Sequence, residues 1–194
     1  MATRSLKTAP QITTRPLRRP KDMNQYWFVG CTRSCQEMNV QKSLLAMGIE
    51  CYVPAQRELR EWSDRKVIKY RIVIPRTVFL YCNDDTRREA LGTIAYLTHC
   101  RMDSMTHAPM KVPEDQLDVF RRVVARADSA VQFHLCSTAS FRSGDRVKVL
   151  RGPLEGLECE IASVLNKTML CLKLGMLGIA TVQINSSDVQ KMEN

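Results

Sequence analysis

The chain has 194 residues, is 44% hydrophobic and 25% charged, and carries a formal charge of +9 with a pI near 9.3. That is room for one large or two small globular domains and excludes a low-complexity or collagen-like chain. With no long apolar run, signal-peptide core, lipidation signal or basic amphipathic helix, the balance points away from secretion and membranes, toward a cytoplasmic protein with an anionic partner such as nucleic acid.

The charge is concentrated at the start. Arg4, Lys7, Arg15, Arg18, Arg19 and Lys21 stand against Asp22 alone, so residues 1–23 carry 6 − 1 = +5 and leave +4 for the rest. This reads as a disordered basic arm, which either finds nucleic acid electrostatically or is simply solvated. Tyr26 to Cys31 then forms an apolar run expected to be a buried central strand. A helix follows, with Ser34 and Glu37 at capping-box spacing and an apolar stripe through Met38, Gln41 and Leu45 with Val40, Leu44 and Met47 that stops at Gly48. Ile49 to Pro54 returns as a strand. The charged stretch from Gln56 to Lys69 reads as a hairpin turning at Trp62-Ser63-Asp64-Arg65 and projecting from the body.

Tyr70 to Ile74 and Thr77 to Cys82 are β-rich on either side of Pro75. Asp84 and Asp85 cap a helix expected to reach about Leu97, and Pro113, Glu114 and Asp115 open another, with Leu117, Phe120 and Val124 on one face. This order makes an α+β unit ending near Asp128, followed by a stretch to Ser140 without clear period that reads as a linker. Beyond it, Val147 and Val149 alternate with Arg146 and Lys148 as a strand with one face in a core. Glu158 to Val164, Met169 to Leu174 and Ile179 to Ile184 follow with strand character, so a small closed barrel of five strands is the economical expectation.

Nothing in the sequence points to catalysis or to a cofactor. It holds no Gly-rich phosphate loop, His-Glu metal helix or Gly-x-Ser-x-Gly elbow. The eight cysteines include no C-x-x-C and read as small core side chains in a reducing compartment. Cys31 and Cys35 with His99, His107 or His134 match no common zinc spacing, so no metal is expected.

The segment Phe141 to Gly156 carries the most specific pattern. Gly144-Asp145 turns into the strand holding Val147 and Val149, Gly152-Pro153 closes it, and Gly156 lets the next strand reverse. It resembles the KOW motif, a nucleic-acid or protein docking element on a small SH3-like barrel. Together with the aromatic first strand, the charged hairpin and the Pro-x-x-Val-Phe strand, it makes residues 25–192 similar to the NusG family of transcription elongation factors. The Arg60 to Lys66 hairpin, the spacing from Pro54 to Pro75 and Pro109-Met110-Lys111-Val112-Pro113 look closest to the specialised RfaH and UpxY types, which regulate polysaccharide loci.

The resemblance implies a monomeric antitermination factor without chemistry of its own, arranged as the basic arm (1–23), an NGN-like polymerase-binding domain (24–128), a linker (129–140) and a KOW domain (141–194). It implies that Ile74, Phe79, Leu117 and Phe120 form an apolar patch for RNA polymerase, although core packing is the better account of any one of them taken singly and the patch requires two or more to be exposed together. Arg87 and Arg88 fall where the family contacts the other side of the polymerase cleft, with a solvated helix face as the equal alternative. Arg33 and Lys42 are placed to approach the non-template DNA strand, and Trp62, Arg65 and Lys66 on the hairpin are suited to stack on or pair with nucleic acid such as nascent RNA, although Trp62 reads slightly better as a turn-capping aromatic packed on its own hairpin. The KOW domain would take a ribosomal protein or a termination factor. Family members usually have Gly or a small polar residue after the proline at 75 and then an aromatic; Arg76 and Thr77 stand there, which argues against a housekeeping elongation factor. In one subfamily the C-terminal domain refolds into a helical hairpin, whereas the alternation here favours strands. A KOW-bearing RNA-binding or ribosome-associated protein is the alternative reading.

Overall fold

The computed structural model describes residues 24–61, 66–127, 129–135, 146–164, 167–174 and 177–192. In chain order the first half holds β1 (Tyr26–Thr32), α1 (Glu37–Ala46), β2 (Glu50–Tyr52), β3 (Ala55–Glu61), β4 (Lys66–Ile72) and β5 (Thr77–Cys82). Next come α2 (Asp84–Thr93), β6 (Leu97–Cys100), β7 (Lys111–Val112) and α3 (Glu114–Arg126). Among the described residues the second half holds strands and one 3-10 turn: β8 (Gln132–Leu135), β9 (Arg146–Val149), β10 (Glu158–Val164), β11 (Lys167–Leu174), β12 (Gly178–Gln183) and β13 (Val189–Lys191). The fold is α+β, as the sequence reading expects.

β1 is the spine of the first sheet and pairs antiparallel with β5, β6 and β7, while β2 extends the sheet beyond β5. Its burial on both faces explains its unbroken apolar run. On one face Phe28, Val78 and Leu80 pack under Val40 and Leu44 of α1 and Ala90 of α2. On the other, Trp27, Val29 and Phe79 join Leu117, Phe120, Val123 and Val124 of α3, and this core continues without a break into Val147, Leu170 and Leu172 of the second sheet. Helix α3 therefore lies between two sheets, and its apolar positions recur at helical spacing because that face has no water to meet.

Several expectations change in detail. The capping box does not form: α1 begins at Glu37, and the Glu37 carboxylate instead accepts the Arg76 backbone N–H at 2.7 Å. For α2 the cap is Asn83, whose side chain accepts the Thr86 N–H at 2.8 Å, and the helix stops at Thr93 because Leu97–Cys100 is recruited as a strand by β1. The hairpin is present as β3 paired with β4 from Ala55↔Ile72 to Glu61↔Lys66; its turn lies outside the described residues.

In the second sheet Val147 and Val149 are buried while Arg146 and Lys148 are exposed. The strand order is β13-β9-β10-β11-β12-β8, an open path of six among the described residues rather than a closed barrel of five. The extra member is β8, which comes from the stretch expected to be a linker and pairs with β12 from Thr181↔Gln132 to Gly178↔Leu135. Pairing on an edge leaves little trace in local sequence, because the ladder uses backbone groups and the partner lies over forty residues away.

Candidate functional site

The four residues expected to make an apolar patch are brought together, and they are covered. Ile74 is 3% exposed, and Phe79, Leu117 and Phe120 are fully buried. Tyr52 bridges them, its ring 6.1 Å from Phe79 in a stacked arrangement and 6.4 Å from Phe120 edge-on. Beside them the Arg121 guanidinium lies 4.3 Å from the Trp27 ring and 5.0 Å from the Tyr52 ring, with Asp118 at 3.4 Å. Burial pushes the Tyr52 hydroxyl pKa up against the opposing effect of Arg121. In this arrangement the face acts as core, because α3 and the second sheet lie over it.

The paired arginines separate by environment. Arg87 is buried, donates to Asp84 at 2.8 Å and stacks 5.3 Å from the Phe28 ring, so it serves the packing of α2 on the sheet. Arg88 is a surface residue, its side chain 69% exposed and paired with Asp85 at 3.1 Å. Arg33 and Lys42 are both exposed, on the β1–α1 connection and on α1. Trp62 and Arg65 lie outside the described residues, and Lys66 opens β4. At the far end of β1, the Lys111 ammonium sits 3.5 Å from the ring of half-exposed Tyr26, a cation–π pair the sequence reading did not single out.

Of the KOW-like segment, Gly144 and Asp145 lie outside the described residues. Gly152 and Gly156 both take left-handed backbone angles, φ 91° and 80°, and the Gly156 N–H donates to the Val149 carbonyl at 2.8 Å to close the reversal. Pro153 and Leu154 form one wall of a cleft of about 320 Å³ whose other walls come from Ala127, Ser129 and Ile184.

Two residues with no role in the sequence reading are central to the geometry. Gln56 on β3 is 5% exposed and Arg71 stands opposite it on β4, and together they hold the connection from α3 to β8. A glutamine in a charged stretch reads as solvated, and no local pattern announces partners more than fifty residues away.

Residues 25–121, half of the chain, match the family model described as "Transcription termination factor nusG". Among solved structures the chain is similar to the one described as "Domain interaction in Thermotoga maritima NusG", at 20% identity and a TM-score of 0.45, over 88% of this chain and 99% of that one. No curated protein matches. Among the described residues no helix is long and apolar enough to cross a membrane, and no cluster of three or more His, Cys, Asp or Glu could hold a metal ion.

Proposed function

The chain belongs to the NusG family of transcription factors, whose model it matches over half its length, and from that premise we propose that it is a specialised antitermination factor. It binds RNA polymerase through residues 24–128 and promotes elongation through pause and termination sites, with a polysaccharide-biosynthesis operon as the target class its hairpin resembles. Residues 141–194 act as the KOW domain and take a ribosomal protein or a termination factor. Arg33, Lys42 and the hairpin approach the non-template strand or nascent RNA, and the protein works in the cytoplasm as a monomer. The family match is the observation that carries this reading.

The burial of Ile74, Phe79, Leu117 and Phe120 adds a condition. Polymerase binding through these side chains requires the packing around α3 to open first. The test is single-round transcription on a template with a defined pause and an intrinsic terminator. Added full-length protein is expected to shorten the pause and raise readthrough, and to stay with purified polymerase after nuclease treatment. If pausing and readthrough are unchanged and nuclease abolishes the association, the antitermination reading fails and RNA binding through the KOW-like segment replaces it.

A further inference from the structure

The hairpin and the second sheet share a buried polar connection. The Gln56 side-chain nitrogen donates to the carbonyls of Ala127 at 3.1 Å and Ser129 at 2.8 Å. Its oxygen accepts the Val131 N–H at 2.9 Å and the Arg71 guanidinium at 3.0 Å. A primary amide has two donor hydrogens and two acceptor sites, so its capacity is filled. The same Arg71 nitrogen also donates to the Val131 carbonyl at 2.7 Å. On the other side of this segment the Ser129 hydroxyl donates to the Gln183 carbonyl of β12 at 3.0 Å, and β8 follows directly and pairs with β12. An uninterrupted chain of hydrogen bonds thus runs from β3 and β4, through Ala127, Ser129 and Val131, into the second sheet.

We infer that Gln56 and Arg71 form a latch that couples the conformation of the β3–β4 hairpin to the docking of the C-terminal sheet. Ala127, Ser129 and Val131 cannot move away with the sheet while both side chains keep these partners. Partial release is disfavoured, because it strands a filled amide or a guanidinium in a poorly hydrated place. The coupling is reciprocal: a partner that turns the hairpin so that Gln56 faces away loosens the sheet, and a partner that draws off the sheet frees the hairpin. Neither direction depends on which macromolecule grips the hairpin, so the inference stands apart from the antitermination reading.

Hydrogen exchange on the full-length protein tests it. Gln56→Leu keeps a side chain of similar size and removes all four hydrogen bonds. The expected result is that amides of residues 55–61 and 66–72 and those of residues 129–135 lose protection together, by about tenfold, within the range usual for coupled sites. Protection in α1 and α2 should stay as in the wild type. Arg71→Lys, which keeps the charge on a more flexible stem, should give the same paired pattern at smaller amplitude. Ile68→Ser, an exposed change on the hairpin away from the latch, should leave 129–135 untouched. Loss confined to one of the two segments, or loss spread evenly into α1 and α2 in both latch variants, overturns the coupling.

Discussion

Arg76 holds a backbone conformation that ordinarily belongs to glycine. Its φ is 58°, and it is kept there by three contacts: its N–H to Glu37, its carbonyl accepting the Thr32 N–H at 3.0 Å, and its guanidinium reaching the Thr32 carbonyl at 3.4 Å. The first two are backbone contacts that glycine would keep. Left-handed angles cost a side-chain-bearing residue about 1–2 kcal/mol, and glycine returns part of that through its freer unfolded state. Arg76→Gly is therefore expected to raise stability by about 0.5–1 kcal/mol, seen as a higher urea midpoint at unchanged slope; a fall would show that the guanidinium contact outweighs the strain. The thiols of Cys51, Cys82 and Cys159 make a second case at this scale. Burial is the largest cause in each, and it pushes all three from 9.0 to about 12. Below pH 9 the thiols are neutral in both folded and unfolded chains, so they contribute no pH dependence. Between pH 9 and about 12 the unfolded chain releases protons that the folded one retains, and stability falls by about 1.4 kcal/mol per pH unit for each thiol at most. Thermal melts from pH 8 to 11 should show this decline, and Cys82→Ala should flatten it by one thiol's share, which separates it from lysine and tyrosine titration.

At the scale of elements, β8 depends on a close approach that only glycine permits. A Cβ added at Gly178 would collide with the His134 carbonyl oxygen and the Phe133 ring, and Gly178 is the residue paired with Leu135. Because the first obstacle is backbone, no rotamer change relieves it. Gly178→Ala is expected to lift β8 from β12, so that amides 132–135 exchange freely while the β11–β12 ladder stays protected. Retained protection at 132–135 would mean the sheet can shift to admit the methyl group. This element also shows where the sequence stops being informative. The Val147/Val149 alternation, the α3 stripe and the hairpin were legible because each encodes which face is buried within a few residues. Strand β8 was not, since its neighbours give no period and its reason to be extended is the free edge of β12. The candidate site divides the same way. Its apolar members were legible as residues that need cover, but whether water, a partner or the chain's own second sheet covers them depends on what packs over α3. Charged substitutions at these positions are accordingly poor probes of binding: Leu117→Asp buries an unpaired carboxylate in a fully enclosed place, which costs several kcal/mol, and is expected to lower the melting temperature sharply before any partner is added.

For the whole molecule the governing quantity is where the charge lies. More than half of the +9 belongs to residues 1–23, which lie outside the described residues, while among the described residues surface cations stand beside acids, as in the Arg88–Asp85 and Lys173–Glu160 pairs. Cations already paired on the surface release few counterions on binding, whereas the arginines of residues 1–23, read from sequence as a basic arm, have Asp22 as the lone acid of their segment. Each phosphate neutralised on a single strand contributes about 0.7 to the slope of log affinity against log salt. If the arm makes phosphate contacts, replacing Arg15, Arg18 and Arg19 with glutamine removes three of them, so the slope should fall by about 2, three contacts at about 0.7 each. Fluorescence anisotropy with a labelled single-stranded oligonucleotide, titrated across a salt series, measures this without reference to transcription. Affinity at low salt should drop while its sequence preference stays as it was, because phosphate contacts position a strand and do not read it. An unchanged slope would place the nucleic-acid contacts on the folded surface instead, with Arg33, Lys42 and the hairpin as the next residues to neutralise.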